Sequence, residues 1–316
     1  LLLSTFWWVA IAYLLASLTT QYWLLVVMVA IATAGAMAWH PLAMGDLVQR
    51  MPERKAFAMA IHGIGGTLAQ VLAPPSVGFL LALLSWQRVL QVSTLPAILV
   101  GVLFFRLASM VGPPTQRSFT SSDLRDLVWA LARAPNVKAL SVLVVSGMSV
   151  MALTSMTPLY LQSVRGTSSG FAGLAFAMMV LSGTLAATLI GRLSDRFDRK
   201  IVSLAGLLAG GAAVALFAFV SWEWAFWVAM VAIGLSLIGI RPVLMATALE
   251  AVGTRETSVL GFIFALGEGV GAVGAFLAGL IGEIGLTWSL VFAAASALLA
   301  AGILATQHTG SEARSD

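Results

Sequence analysis

Six polar side chains interrupt the apolar runs of this chain. Glu268 stands in Leu266-Gly267-Glu268-Gly269-Val270-Gly271, Arg241 precedes Pro242, His40 precedes Pro41, and His62, Tyr160 and Gln162 lie in further apolar stretches. A carboxylate or guanidinium in such surroundings either pairs with an opposite charge to lock two segments, or holds a charged ligand or a proton. An imidazole there either carries protons near neutrality or hydrogen-bonds a neighbouring segment. Tyr160 and Gln162, in Thr157-Pro158-Leu159-Tyr160-Leu161-Gln162, read as an interfacial anchor or as contacts to a bound molecule. With no cysteine and three histidines far apart at 40, 62 and 308, no metal centre is expected. The chain carries no G-x-x-x-x-G-K-[ST] phosphate loop, so neither an ATPase nor a cofactor is expected.

The elements that must hold these residues follow from composition. Of 316 residues 60% are hydrophobic and 9% charged, whereas a water-soluble domain carries about 25% charged residues. Such a chain cannot cover a water-facing surface, and lipid is its expected surrounding. Crossing about 30 Å of hydrocarbon takes roughly 20 apolar residues as a helix. Ten segments qualify: 1–18, 22–46, 57–83, 89–107, 137–162, 170–191, 201–221, 224–248, 258–282 and 286–305. Their apolar runs are continuous rather than alternating, which excludes barrel strands. The expected fold is an all-α membrane bundle of about ten helices.

The net charge of +4 would suit nucleic acid, but the basic residues sit in connectors, where bilayer orientation explains them and nucleic acid is excluded as a partner. If the 49–56 connector is cytoplasmic, fourteen lysines and arginines fall on that side and only Arg88 and Arg165 on the other. The C-terminus is then cytoplasmic. Within the 108–136 linker, Leu124, Leu127, Val128 and Leu131 follow helical spacing between Ser122 and Pro135, which predicts an interfacial helix. The expected organisation is four helices in 1–107, the linker, six helices in 137–305 and a tail over 306–316.

Depth brings two of the polar residues together. Arg241 lies roughly eight residues and Glu268 roughly ten from their shared cytoplasmic connector, in antiparallel spans, so both are about 12–15 Å deep. His40 and His62 occupy comparable positions in two consecutive spans. Gly267, Gly269, Gly271, Gly274 and Gly279 allow close helix approach or helix bending.

An internal repeat is visible: His40-Pro41, Met44, Arg54 and Trp86 are echoed by Arg241-Pro242, Met245, Arg255 and Trp288. Residues 191–200 then read Gly191-Arg192-Leu193-Ser194-Asp195-Arg196-Phe197-Asp198-Arg199-Lys200. A charged connector that merely sets orientation needs basic residues, not this order. Glycine permits close helix approach, an aspartate can accept helix N-terminal amides, and the paired basic residues stay in water.

The segment resembles the G-x-L-[SA]-D-R-x-x-[RK]-[RK] loop of the major facilitator superfamily, carried here by Gly191, Asp195, Arg196, Arg199 and Lys200. The resemblance implies a twelve-helix fold in two halves, with this loop after helix eight and the linker after helix six. The chain would then run from helix three to helix twelve. Beginning at Leu1 within an apolar run, it is expected to lack two preceding spans. Ala73-Pro74-Pro75-Ser76-Val77-Gly78 resembles the family's helix-five antiporter pattern G-P-x-x-G-G, with Pro74 and Gly78 retained, Pro75 at a variable position and two glycines replaced by alanine and valine. The Tyr160–Gln162 stretch is similar to helix seven of drug-efflux members.

The resemblance implies a secondary transporter moving a small organic solute by alternating access, coupled to protons and directed outward, in a bacterial inner membrane. It also implies that Asp195 latches one conformational state. A sensor or scaffold with the same fold, and an inactive fragment, are the alternatives.

Overall fold

The computed structural model describes residues 2–51, 55–108, 134–252 and 257–307, and every regular element among them is helical. In order these are α1 (Leu2–Leu18), α2 (Tyr22–Arg50), α3 (Lys55–Leu83), α4 (Trp86–Ala108), α5 (Ala134–Ser163), α6 (Ser169–Arg196), α7 (Arg199–Phe219), α8 (Glu223–Ile233), a π-turn (Gly234–Ile238), α9 (Arg241–Val252), α10 (Thr257–Gly282) and α11 (Leu286–Ala305). Hydrocarbon offers backbone amides no partner, and a helix satisfies them within one segment. Eight described stretches are long and apolar enough to cross a membrane, with α8, the π-turn and most of α9 together making one of them. The apolar stretches Leu2–Leu18 and Leu266–Gly282 are shorter. The predicted interfacial helix of the linker lies outside the described residues.

Two compact units divide the chain. The first comprises 1–69 and 76–118. In it α1 packs on α2 and α4. Phe6 meets Trp39 of α2 and Phe104 of α4, each at 6.0 Å between ring centroids. Gly35 leaves room for the Trp8 indole, which a side chain there would strike.

The second unit comprises 70–75 and 119–316. Here α5 packs against α10 and α11, and α11 against α7. Small residues make these approaches possible. Ala293, Ala297 and Ala300 of α11 are fully buried, and Ser149 of α5 donates to the Ala293 carbonyl at 2.7 Å. Gly147 of α5 closes on Gly267 and Gly271 of α10, and any side chain at Gly274 would run into the Met148 backbone. The glycine pattern of α10 is thus a packing stripe at 267, 271 and 274, while Gly269 and Gly279 meet nothing within 4 Å.

Two departures from the sequence reading bear on function. The helix ending at 191 in that reading continues to Arg196, so most of the motif at 191–200 is helical and the turn between α6 and α7 is confined to Phe197 and Asp198. The span over 224–248 is also not one uniform helix. It passes through the π-turn, where the Gly239 amide donates to the Gly234 carbonyl at 3.0 Å, before α9 starts at Arg241. Gly234 makes room for this by pressing its bare backbone against the Met179 carbonyl and Ser182 hydroxyl of α6.

Candidate functional site: an intramembrane ion pair beside a helix break

The break in the α8–α9 span sets where Arg241 points. A π-turn inserts an extra residue into helical register, turning everything after it to a new face, and such turns recur at functional sites. Arg241 follows after Gly239 and Ile240, at the first position of α9. Pro242 costs the helix nothing there, because a first-turn amide has no intrahelical acceptor.

The facing carboxylate is positioned from the other side. Glu268 lies on α10 between Gly267 and Gly269, and Gly147 of α5 lets the Gly267 carbonyl approach closely. That contact fixes the helix surface carrying Glu268. The guanidinium of Arg241 donates to its carboxylate, with 31% of the Arg241 side chain exposed and 13% of the Glu268 side chain. The pair is partly open: the arginine keeps one face available while the carboxylate is nearly enclosed. An anionic ligand group would meet the arginine, and a proton reaching Glu268 would dissolve the pair.

His40 and His62 are brought together as well. Their Nδ1 and Nε2 atoms share a hydrogen bond of 3.1 Å between α2 and α3, with the rings at 82°. Trp39 stacks on His62 at 5.0 Å and 20°. The sequence reading does not single out Trp39; its place beside His40 is the available signal.

Tyr160 and Gln162 diverge. Tyr160 is 2% exposed, donates its hydroxyl to the Ala218 carbonyl at 2.9 Å, and packs on Phe217. It is therefore part of the core of the second unit and not an interfacial anchor. Gln162 is exposed and donates to the Pro158 carbonyl of its own helix.

At the other end of α6, Asp195 is 69% exposed and contacts Arg199 at 3.5 Å, while Arg196 is exposed. The carboxylate at the α7 N-terminus belongs to Asp198, which accepts from the Lys200 amide at 2.7 Å. Its signal was an aspartate just ahead of a helical run. The Lys200 ammonium reaches the Ala305 carbonyl at 3.2 Å and that of Gln307, tying the motif to the end of α11. Gly191 has open space around it.

Pro74 and Pro75 lie within α3, in the stretch that clusters with the second unit, and the Pro74 carbonyl lies against Gly173 of α6. Gly78 is buried.

A multi-pass helical bundle with an ion pair in its spans has the form of a membrane transport protein. The Major Facilitator Superfamily model matches residues 1–272 and again 166–309, and the chain belongs to that superfamily. It is a transporter-family protein and not an enzyme. Among curated relatives, a probable sugar efflux transporter of Helicobacter acinonychis is 25% identical over 95% of this chain and 76% of its own length. A methylenomycin A resistance protein of Streptomyces coelicolor is 28% identical over 46% of this chain and 31% of its own length.

Proposed function

We propose that this protein is a secondary transporter that exports a small organic solute by alternating access, driven by protons moving inward. The observation that carries this reading is the Arg241–Glu268 pair, set within two spans at a helix break. Ionisable residues at such depth cost about 2.5–3.5 kcal/mol on insertion scales, and discontinuous helices are where transporters build their sites. In this scheme Arg241 receives a polar or anionic group of the solute, and Glu268 exchanges its contact with Arg241 for a proton. The relatives named for sugar efflux and for methylenomycin resistance support an outward direction. The arginine and lysine bias supports a cytoplasmic C-terminus in a bacterial inner membrane.

The test is flux. The full chain is reconstituted into proteoliposomes with a trapped pH dye and a panel of radiolabelled sugars. Counterflow of at least one sugar with accompanying proton movement is expected; absence of flux for every member under an imposed pH gradient overturns the proposal.

A further inference from the structure

The internal repeat relates α2 and α3 to the α9–α10 pair, and in both copies a polar couple ties the proline-bearing segment to the next helix. The second copy uses opposite charges, Arg241 and Glu268. The first uses two titratable rings, His40 and His62, 3.1 Å apart.

We propose that His40 and His62 together form one proton-binding site, which holds a single proton while α2 and α3 stay joined and is opened by a second. In the neutral couple one of the two facing nitrogens, His40 Nδ1 or His62 Nε2, carries the proton and donates while the other accepts with its lone pair, so the two rings adopt complementary tautomers. One added proton keeps that arrangement and strengthens it, because the bond becomes charge-assisted. The resulting imidazolium charge is shared with a ring that lies flat against the Trp39 indole, whose π-face favours a cation. A second proton removes the last lone pair from the contact and sets two like charges across it. The couple therefore titrates as a unit, not as two histidines.

Among the described residues, the charged and titratable groups on the elements around the two rings are few. From α1, the residue meeting Trp39 is Phe6, and α1 carries no charged side chain, its titratable group being Tyr13. On α2 the charged side chains are Asp46 and Arg50, further along the helix and paired with each other at 2.8 Å, with Tyr22 at its far end. Arg88 and Arg106 stand at the two ends of α4. Along the described part of α3 beyond Lys55 no further acid or base occurs.

The inference goes beyond the Arg241–Glu268 reading and stands without it, since it needs neither solute nor flux. The test uses the full chain with His308→Gln in lipid nanodiscs, labelled with nitrogen-15 at histidine, so that two rings remain. Expected are a through-bond nitrogen–nitrogen coupling between the rings and the uptake of one proton per pair as the pH is lowered, both rings shifting together. The coupling is lost at the pH where a second proton enters. In His62→Gln the remaining His40 titrates as a single ring, still taking up one proton. Uptake of two protons in independent steps, with no coupling and with neither ring sensitive to substitution of the other, overturns the proposal. The unsubstituted pair decides the question even where a glutamine variant fails to fold.

Discussion

Arg241 donates to Glu268 from the first residue of a helix that begins two residues after a π-turn, so a backbone break places the arginine while a glycine contact places the helix surface that carries the carboxylate. That separation of causes means the packing and the pair can be perturbed independently.

The glycine stripe of α10 provides the first perturbation. A methyl group at Gly274 meets the Met148 backbone, whereas one at Gly279 meets open space. Gly274→Ala is expected to lower stability by about 1–3 kcal/mol through overpacking, and Gly279→Ala to leave it unchanged or raise it by up to ~1 kcal/mol. Thermal unfolding in detergent, followed by helical circular dichroism, measures both.

Tyr160 separates core from site. Tyr160→Phe keeps the aromatic packing and removes the hydroxyl bonded to Ala218. A loss of about 0.5–1.5 kcal/mol in stability is expected, with the KM and maximal rate of solute flux unchanged in proteoliposomes. A large change in KM at unchanged stability would return Tyr160 to the solute pathway.

The two aspartates of the 191–200 segment predict different phenotypes. Asp198 caps α7, so Asp198→Ala is expected to cost about 0.5–2 kcal/mol and to raise amide exchange in the first turn of α7. Asp195 is solvent-facing and its ion pair with Arg199 is worth little to stability. Asp195→Asn is therefore expected to leave unfolding unchanged while slowing flux, the mark of a contact made in another transport state. Unchanged flux would reduce Asp195 to a topological charge.

Orientation is open to direct labelling, because the chain has no cysteine. Single cysteines at Ser121, Val164 and Ser311 are exposed to an impermeant maleimide on intact cells. Val164→Cys is expected to react and the other two to be protected; the reverse pattern inverts the topology.

Much of this was legible from residues alone, for identifiable reasons. Hydropathy locates spans, and helical rise converts distance from a connector into depth, which is why Arg241 and Glu268 are expected at one level. Depth says nothing about rotation, so the direct bond between His40 and His62 is not legible, nor is the turn that the π-segment gives to α9. Tyr160 misleads because a span end suggests an interface, while the ring packs on Phe217, which continues through Phe226 to Phe171 in an aromatic chain drawn from three other helices. The motif at 191–200 is legible as a pattern, but which aspartate caps α7 depends on where α6 stops.

The central claim is that Glu268 carries a coupling proton and does more than neutralise Arg241. Glu268→Gln alone leaves a partly buried arginine without its carboxylate, at a cost of about 1–3 kcal/mol, so loss of flux in that variant has two explanations. The double variant Glu268→Gln with Arg241→Gln removes both charges and restores neutrality. Measured in proteoliposomes as proton movement per solute moved, it is expected to be folded and inserted, with solute exchange retained in part and proton coupling lost. A double variant that recovers both expression and normal pH-dependent flux contradicts the claim and leaves the pair a structural lock.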